Sequence, residues 1–389
     1  MTRPLLPGTW RPGAPSARAP RRFLVLSASM GSGHDTVAGE LTRRLETAGH
    51  RVVNADVLDL LPAGLGSGLR AGYRSVIGHV PSLYAAVYQA FFREGTMPRP
   101  SSAPLAAFAD DRVLGLVERH RIDVVVPVFH LAAQVVGRLR ARGDLRVPSA
   151  VVMTEFAPHR QWLHAGNDIY LCHAEEIAAR IRQALGCAAV GCGPLVDSRF
   201  RRPPAAGTAY WRSRLSRDGK PIVLLSTGAW GVGSSLAKTA DLLDTAGYVP
   251  AVLCGGNRRL WRRLSARTGV AALPWVDDMP ALMGASRALV DNAAGQTALQ
   301  ALAAGLPVIG YRPIPGHGTD GARYMAELGL SDFASDEREL LSSLRTLTAP
   351  GHRRERRIAA GRAFRGDNAI HLLETLGLHA HELAEGTAP

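Results

Sequence analysis

Residues Val290–Gly329 read VDNAAGQTALQALAAGLPVIGYRPIPGHGTDGARYMAELG, and this stretch decides the fold. Its pattern predicts an apolar strand at Ala288–Val290, a helix over about Gln296–Ala304 and a second strand at Pro307–Tyr311. A loop, Pro313–Asp320, comes next. When a helix begins at a glycine turn after a strand, its unpaired N–H groups and its positive end favour a bound anion. The stretch therefore predicts a β-α-β unit with an anion site before its helix.

Two more glycine turns have the same strand-turn-helix arrangement. One lies within Leu224–Gly233, and the other lies within Ser27–His34, where a histidine follows the turn. Because glycine has no side chain, such turns let the backbone approach a phosphate closely. Three turns of this kind predict phosphate-bearing ligands in a cleft between two α/β halves. The glycines concerned are Gly31, Gly33, Gly228, Gly231, Gly233 and Gly295.

Strand-like and helix-like segments alternate on both sides of a region rich in Pro, Gly and Arg. This alternation is typical of parallel sheets, whose ligands bind at the carboxyl ends of the strands. We therefore predict the α/β class, with two facing doubly wound, Rossmann-like domains. The other predicted strands are Phe23–Ser29, Arg51–Ala55, Asp123–Val128, Ala150–Thr154, Asp168–His173, Ala188–Gly191, Pro221–Ser226, Val249–Cys254 and Ala271–Pro274. The predicted division is a disordered basic tail at 1–20, a first domain at 21–200, a linker at 201–219, a second domain at 220–352, and a C-terminal helix and tail at 353–389.

The composition narrows the classes of partner. The chain has 389 residues, four cysteines without paired metal spacing, and a formal net charge of +13, part of it in the solvated cluster Arg353–Arg357. No run reaches the roughly 18–20 apolar residues of a spanning helix, and the N-terminus lacks an apolar signal region. The charge favours acidic partners. Because the chain shows no helix-turn-helix, zinc-finger or aromatic-on-strand signature, we do not expect nucleic acid among them.

A long segment with helical apolar spacing, Leu65–Phe92, is interrupted at Pro81 and has Arg70, Arg74 and Arg93 nearby. One interpretation is a pair of interfacial helices that contacts a membrane and admits a lipid. The other is two helices that simply pack on the first domain. The spacing alone is compatible with either role and with both together.

Short motifs occur in a fixed order along the chain. They are Gly31–His34, Tyr73–Tyr88, Thr154–His159 with Trp162 and His164, Gly193-Pro194 before Phe200, Cys254–Asn257, Trp275–Met279 and Gly295–Gly316. This ordered set resembles the monogalactosyldiacylglycerol synthases and the related diacylglycerol glucosyltransferases, which are glycosyltransferases of the GT-B fold. It is more distantly similar to the enzyme that adds N-acetylglucosamine to lipid I. The resemblance covers roughly Phe23 to Phe333.

The resemblance implies an inverting transfer of a hexose from a nucleotide sugar, usually UDP-linked, to a lipid hydroxyl such as that of diacylglycerol. No cofactor or metal is implied, because helix ends and backbone amides hold the diphosphate in most GT-B enzymes. The implied partners are the nucleotide sugar, the lipid acceptor and an anionic membrane surface. The implied location is cytoplasmic, peripheral on the inner face of the cell membrane, and the lack of paired cysteines favours a reducing compartment.

Candidate site residues follow from the turns and from the resemblance. His34 suits the role of general base, because its ordinary pKa lies near neutrality and its turn faces the predicted cleft. Glu155, at a strand end, is either a rival base or the partner that orients His34. The predicted donor-binding residues are Gly228, Gly231, Gly233, Asn257, Trp275, Val276, Gly295, Gln296, Thr297, Gln300, His317 and Asp320. The predicted acceptor-binding residues are Gly31, Gly33, Tyr84, Tyr88, His159 and Trp162.

Three positions differ from the family pattern. Gln300 stands where the family has a ribose-binding Glu, Glu155 replaces an Asp, and the sugar loop reads Pro315-Gly316-His317-Gly318-Thr319-Asp320. The identity of the hexose and of the nucleotide stays open. A GT-B enzyme with a soluble acceptor, a nucleotide-sugar epimerase and a catalytically inactive nucleotide- or membrane-binding homologue are the alternative hypotheses.

Overall fold

The structure is a computed structural model, and it describes residues 19–79, 81–92, 102–216, 218–349, 351, 361 and 368–385. The predicted basic tail therefore lies outside the described residues except for residues 19 and 20. The arginine cluster predicted at 353–357 and Arg93 also lie outside them.

The first domain contains a parallel sheet whose strands alternate with helices. β1 pairs in parallel with β2 and β3, and β5 pairs in parallel with β4 and β6. A parallel bridge between Val125 and Ser149 joins the two halves, giving the order β2-β1-β3-β4-β5-β6. The strands are β1 (Arg22–Ser27), β2 (Arg51–Asp56), β3 (Val124–Pro127), β4 (Ala150–Val152), β5 (Ile169–Cys172) and β6 (Ala188–Gly191).

The helices of this domain bury one apolar face each, as their spacing predicts. The first of them presents Val37, Leu41 and Leu45 to the sheet. It ends before Gly49, whose φ of 89° lies in the left-handed region. The helices are α1 (Ser32–Thr47), α2 (Leu65–His79), α3 (Pro81–Phe91), α4 (Ala103–Ala107), α5 (Asp110–His120), α6 (His130–Arg142) and α7 (Glu175–Leu185).

The second domain repeats the arrangement with a six-stranded parallel sheet in the order β12-β11-β10-β7-β8-β9. Its strands are β7 (Ile222–Ser226), β8 (Val249–Leu253), β9 (Ala271–Leu273), β10 (Ala288–Asp291), β11 (Val308–Tyr311) and β12 (Asp332–Ala334). The helices are α8 (Ala205–Leu215), α9 (Leu236–Thr245), α10 (Arg258–Ser265), α11 (Met279–Ala285), α12 (Gln296–Ala303), α13 (His317–Glu327) and α14 (Glu337–Thr348). The predicted α/β class with two doubly wound sheets is confirmed.

Two segments differ from their predicted structure. The loop predicted at Pro313–Asp320 is wrong in its second half, because α13 begins at His317. The predicted linker, 201–219, contains α8, which packs on α11 of the second domain, where a side-chain carbon at Gly207 would lie 2.8 Å from the Ala281 Cβ. The domain boundary at this linker stays a prediction.

The C-terminal helix, α15 (Ala369–Glu385), returns to the first domain. Leu373 is fully buried in the same cluster as Phe23 and Leu41. The Arg21 Nη1 donates a hydrogen bond to the Gly377 carbonyl oxygen, 2.7 Å away. The last helix that the structure describes therefore packs on the first domain.

The two domains share buried apolar side chains. One cluster contains Phe156 and Trp162 from the first domain together with Leu282 and Leu299 from the second.

Across the described ranges, no helix combines the length and apolarity that crossing a bilayer requires.

Candidate active site

Two helix N-termini meet at the cleft between the domains. α1 begins after Gly31 and α12 begins after Gly295, and neither N-terminus has a side-chain cap. A side-chain carbon placed on Gly33 would lie 3.8 Å from the Gln296 Cβ, so the two N-termini are in close contact. Because the positive ends of both helices converge, this is a favourable position for a polyanion such as a diphosphate.

The α12 turn supplies fewer free amides than its sequence suggests. The buried Asp291 Oδ2 accepts hydrogen bonds from the Ala293 and Ala294 amides, at 3.0 and 2.6 Å. The Gln296 Nε2 donates to the Leu195 carbonyl oxygen of the first domain, 3.0 Å away, so this side chain joins the domains. The Gln296 Oε1 is buried without a partner among the described residues. The helix start, with Thr297, is therefore the part of the turn that remains available to a ligand.

The glycine turn after β7 has a shape that other side chains fix. Gly228 and Gly231 have φ values of 64° and 63°, which favour glycine. A side-chain carbon on Gly231 would clash with Asn257, whose Nδ2 donates to the Gly231 carbonyl oxygen at 3.1 Å. The Asn257 Oδ1 accepts from the Leu260 amide at 2.9 Å and caps α10. Asn257, predicted as a donor contact, therefore shapes the turn, and Gly233 lies beside Asn292 at its far end.

His34 has the geometry of a general base. Its Nδ1 lies 3.1 Å from the Val128 carbonyl oxygen and 3.1 Å from the Thr154 Oγ1. Because a carbonyl oxygen only accepts, Nδ1 carries the proton and Nε2 keeps a free lone pair. Burial lowers the pKa of His34 to about 4, so the ring is neutral near pH 7. The Phe129 ring packs edge-on against it, with the ring centroids 4.9 Å apart.

Beside His34 lies a buried polar cluster of Glu155, His159, His130 and Trp162. The Glu155 Oε2 is 3.5 Å from the His159 Nε2, and the His130 and His159 ring centroids are 5.2 Å apart. Burial raises the pKa of Glu155 to about 7 and lowers that of His130 to about 3. Within the described residues, the Glu155 Oε2, both histidine Nδ1 atoms and the Trp162 Nε1 have no hydrogen-bond partner. Such a group of buried, unpaired polar atoms indicates a place for a polar ligand or water.

His130 was not among the predicted site residues. It begins α6, directly after the carboxyl end of β3, and its position at the end of a parallel strand is the signal that would have found it. Thr154, which holds His34, belonged to a recognised motif but was given no role.

The structure places Tyr84 and Tyr88, predicted to bind the acceptor, against the second domain. The Tyr84 Oη lies 2.6 Å from the His317 Nδ1. A side-chain carbon on Gly316 would lie 2.6 Å from the Tyr88 Cγ. Tyr73 also lies in this contact, 5.7 Å from the Trp230 ring by centroids. These aromatic residues of the first domain therefore reach the segment that was predicted to bind the donor sugar.

The remaining predicted donor residues differ in exposure. Trp275 is 56% exposed, whereas Val276 packs on the cluster shared by the two domains. Gln300 is partly buried on α12. Asp320 lies in the first turn of α13, where its charge partly offsets the burial that lowers the pKa of His317 to about 4.

The cysteines and the acidic and histidine side chains do not suggest a metal centre. All four cysteines lie in the described residues and none forms a disulfide. Within those residues, no group of three or more His, Cys, Asp or Glu side chains has the arrangement of a metal site.

Known proteins are similar in sequence to this chain. Residues 34–187 match the family model of monogalactosyldiacylglycerol (MGDG) synthase. The processive diacylglycerol beta-glucosyltransferase of Bacillus subtilis is 24% identical over 356 residues, covering 85% of this chain and 87% of that protein. The processive diacylglycerol beta-glucosyltransferase of Bacillus cytotoxicus is 23% identical over 369 residues, covering 91% of this chain and 93% of that protein.

Solved structures share the fold. Acinetobacter baumannii MurG superposes with a TM-score of 0.58 at 14% identity, covering 93% of this chain and 100% of that one. The calicheamicin glycosyltransferase CalG4 gives a TM-score of 0.60 at 14% identity, covering 96% and 100%. The predicted GT-B fold and the predicted resemblance to the diacylglycerol glycosyltransferases are both confirmed.

Proposed function

We propose that this protein is an inverting glycosyltransferase that transfers a hexose from a nucleotide sugar, of the UDP-linked class, to the hydroxyl of diacylglycerol. Its similarity to the diacylglycerol glucosyltransferases extends over most of the chain. The observation that carries the proposal is the position of His34, whose unprotonated Nε2 stands at the N-terminus of α1, opposite the N-terminus of α12.

The chemistry is a direct displacement at the anomeric carbon. The His34 Nε2 takes the proton of the acceptor hydroxyl as the oxygen forms its bond to that carbon. The bond between the carbon and the diphosphate oxygen breaks, and the leaving diphosphate keeps the electron pair. Backbone amides at the start of α12 and at Gly233 then stabilise the added negative charge, whereas the Gly231 and Val232 amides donate within their own turn.

Acceptor access involves the polar cluster and the helix hairpin α2–α3. Glu155, His130 and His159 offer buried acceptors and donors for the hydroxyl that reacts, which fits their unpaired atoms. The hairpin exposes an apolar face along α3, formed by Leu83, Val87 and Phe91, and it exposes Leu65 and Leu69 at the start of α2. An apolar face of this kind fits peripheral contact with a membrane, from which a lipid acceptor is drawn.

The test is UDP release from UDP-galactose, UDP-glucose and UDP-N-acetylglucosamine, with and without anionic vesicles that contain diacylglycerol. We expect release that requires one donor and the diacylglycerol together. His34→Ala should lower turnover roughly a hundredfold or more and leave UDP affinity unchanged. Release that never depends on diacylglycerol would contradict the lipid acceptor and favour a soluble one. Nucleotide binding without release from any donor would indicate an inactive homologue.

A further inference from the structure

The contact between Tyr84 and His317 joins the acceptor side of the cleft to the donor side. Tyr84 lies on α3 of the first domain and is 5% exposed, whereas His317 begins α13 of the second domain. The Oη and Nδ1 atoms are 2.6 Å apart, which is a short hydrogen bond. The surrounding side chains are apolar, with Ile77, Val232 and Ile314 packed around the tyrosines.

Both groups are neutral, so the hydrogen bond can run in either direction, and the Tyr73 hydroxyl is a second hydrogen-bond partner of the Tyr84 hydroxyl. Burial raises the pKa of Tyr84 far above its ordinary value, so the phenol keeps its proton. Burial lowers the pKa of His317 to about 4, so the imidazole is neutral. A neutral imidazole has one N–H and one acceptor nitrogen. When the Tyr84 hydroxyl donates to Nδ1, the proton of His317 resides on Nε2.

The His317 ring lies close to the buried polar cluster. Its centroid is 6.4 Å from that of Tyr88, which is also 6.4 Å from that of His159. Among the residues that the structure describes, the His317 ring makes its hydrogen bond through Nδ1, which leaves Nε2 for a ligand. A proton on Nε2 would therefore be available to a hexose bound between the polar cluster and the turn before α12.

We propose that Tyr84 is a positioning residue for the donor sugar. It holds His317 in the form whose Nε2–H donates a hydrogen bond to a hydroxyl of the hexose. The first domain thereby takes part in choosing the donor, although the nucleotide itself is bound by the second. This inference rests on the proposed function, because it requires a nucleotide hexose in the cleft.

The close packing around the pair supports a positioning role. Tyr88 lies so near Gly316 that any side chain there would displace it. The Tyr84 ring is also edge-on to the His317 ring, with centroids 5.7 Å apart and an interplanar angle of 85°. The imidazole is thus held both by a hydrogen bond and by its neighbours.

Tyr84→Phe tests the proposal because it removes only the hydroxyl. We expect the KM for the nucleotide hexose to rise about five- to tenfold, since one hydrogen bond to a positioned ring is lost. The difference in KM between UDP-glucose and UDP-galactose should become smaller. The affinity for UDP alone should stay within about twofold of the wild-type value. Tyr324→Phe is the matched control, because Tyr324 lies on the same helix and stacks on Arg180, away from His317.

Two further measurements separate positioning from simple packing. In the wild type, ¹⁵N NMR should show the His317 proton on Nε2, and Tyr84→Phe should produce a mixture of tautomers. In a His317→Ala background, Tyr84→Phe should have no additional effect on donor KM. An unchanged KM in Tyr84→Phe, or an equal weakening of UDP and UDP-hexose binding, would overturn the proposal.

The wild-type protein distinguishes this failure from failure of the proposed function. If it binds no UDP-hexose more tightly than UDP and transfers none, the proposed function and this inference both fail. If it selects one UDP-hexose and Tyr84→Phe selects it equally well, only the role of Tyr84 is wrong.

Discussion

Burial determines which side chains of the site carry a proton. It lowers the pKa of a histidine and raises the pKa of a carboxyl group. His34 is kept neutral, because burial lowers its pKa to about 4. Glu155 tends to keep its proton, because burial raises its pKa to about 7. A neutral base beside a partly protonated carboxyl group suits the activation of a neutral hydroxyl acceptor, since neither group needs a counter-ion in the cavity.

Glu155→Gln should change how stability depends on pH. Between the ordinary carboxyl pKa of 4.5 and the folded value of about 7, the unfolded chain loses a proton that the folded chain keeps. The wild-type free energy of unfolding therefore falls as pH rises through this window, by about 3 kcal/mol in total. Glutamine does not titrate. The free energy of unfolding of the variant, relative to that of the wild type, should therefore be higher by up to this amount at pH 8 and by little at pH 4.

Urea unfolding at several pH values measures this effect. Glu118→Gln is the control, because it makes the same substitution at an exposed position on α5. A constant difference between Glu155→Gln and the wild type from pH 4 to pH 8 would show that Glu155 is not held protonated by burial.

Some single residues of the site could be predicted from the sequence, whereas their contacts across the cleft could not. His34 could be predicted, because a histidine after a glycine turn at a strand end is a local pattern, and its position at the cleft agrees with the prediction. Tyr84 and Tyr88 could be predicted to be buried, but not to touch the donor segment, since their partners lie more than two hundred residues away. His130 has no local signal apart from its strand-end position. Contacts across the cleft depend on how the two domains pack together. The spacing of residues along the chain does not predict that packing.

At the scale of elements, the hairpin α2–α3 has two faces with different roles. Tyr73, Ile77, Tyr84 and Tyr88 form the inner face, against the second domain. The outer face, formed by Leu83, Val87 and Phe91 of α3, is exposed, and Leu65 and Leu69 are exposed at the start of α2. The two interpretations of this segment are therefore compatible, because packing uses one face and leaves the other for a membrane.

Replacing two residues of the outer face should weaken vesicle binding. Leu83 and Phe91 are 48% and 38% exposed, so Leu83→Ser with Phe91→Ser should not disturb the core. Each apolar side chain that enters a membrane contributes roughly 1.5–3 kcal/mol at full burial, and partial insertion of two of them predicts binding weakened about tenfold or more. Cosedimentation with anionic vesicles measures this.

Tyr210→Ser is the control for the hairpin variant, since Tyr210 is 52% exposed on α8 of the second domain. UDP affinity should be the same in both proteins, because neither change reaches the donor site. Equal vesicle binding by the hairpin variant and the control would leave packing as the only role of α2–α3.

Periodicity predicted the bounds of the named strands to within one or two residues, and the error in the loop predicted at Pro313–Asp320 has a physical cause. Pro313, Pro315 and Gly316 signal a loop, yet a helix begins at His317. The glycines of α13 are needed for close packing on the turn between β10 and α12. A side-chain carbon at Gly318 would lie 3.1 Å from the Asn292 carbonyl oxygen in that turn. Tertiary contact therefore overrides the local loop signal. The predicted resemblance to the diacylglycerol glycosyltransferases, which came from the order of the motifs, is confirmed by the family match and by the diacylglycerol glucosyltransferase relatives.

At the scale of the whole molecule, the chain crosses between the domains twice. It enters the second domain near α8, and α15 brings it back to the first-domain sheet. The helix is anchored there by Leu373, by the hydrogen bond from Arg21 and by a hydrogen bond from the His50 Nε2 to the Glu374 Oε1, 3.0 Å away. The last helix thus completes the core of the domain that begins the chain.

Leu373→Ala should destabilise the first domain although it lies near the C-terminus. The side chain is fully buried against Phe23 and Leu41, and such a truncation costs about 2–5 kcal/mol through lost burial and the cavity that remains. Leu372→Ala, at the partly buried neighbouring position, should cost less than half as much. UDP affinity under native conditions should not change, since the proposed nucleotide site lies in the other domain. Urea unfolding with UDP titration of both variants measures this, and equal losses would mean that α15 does not form part of the first-domain core.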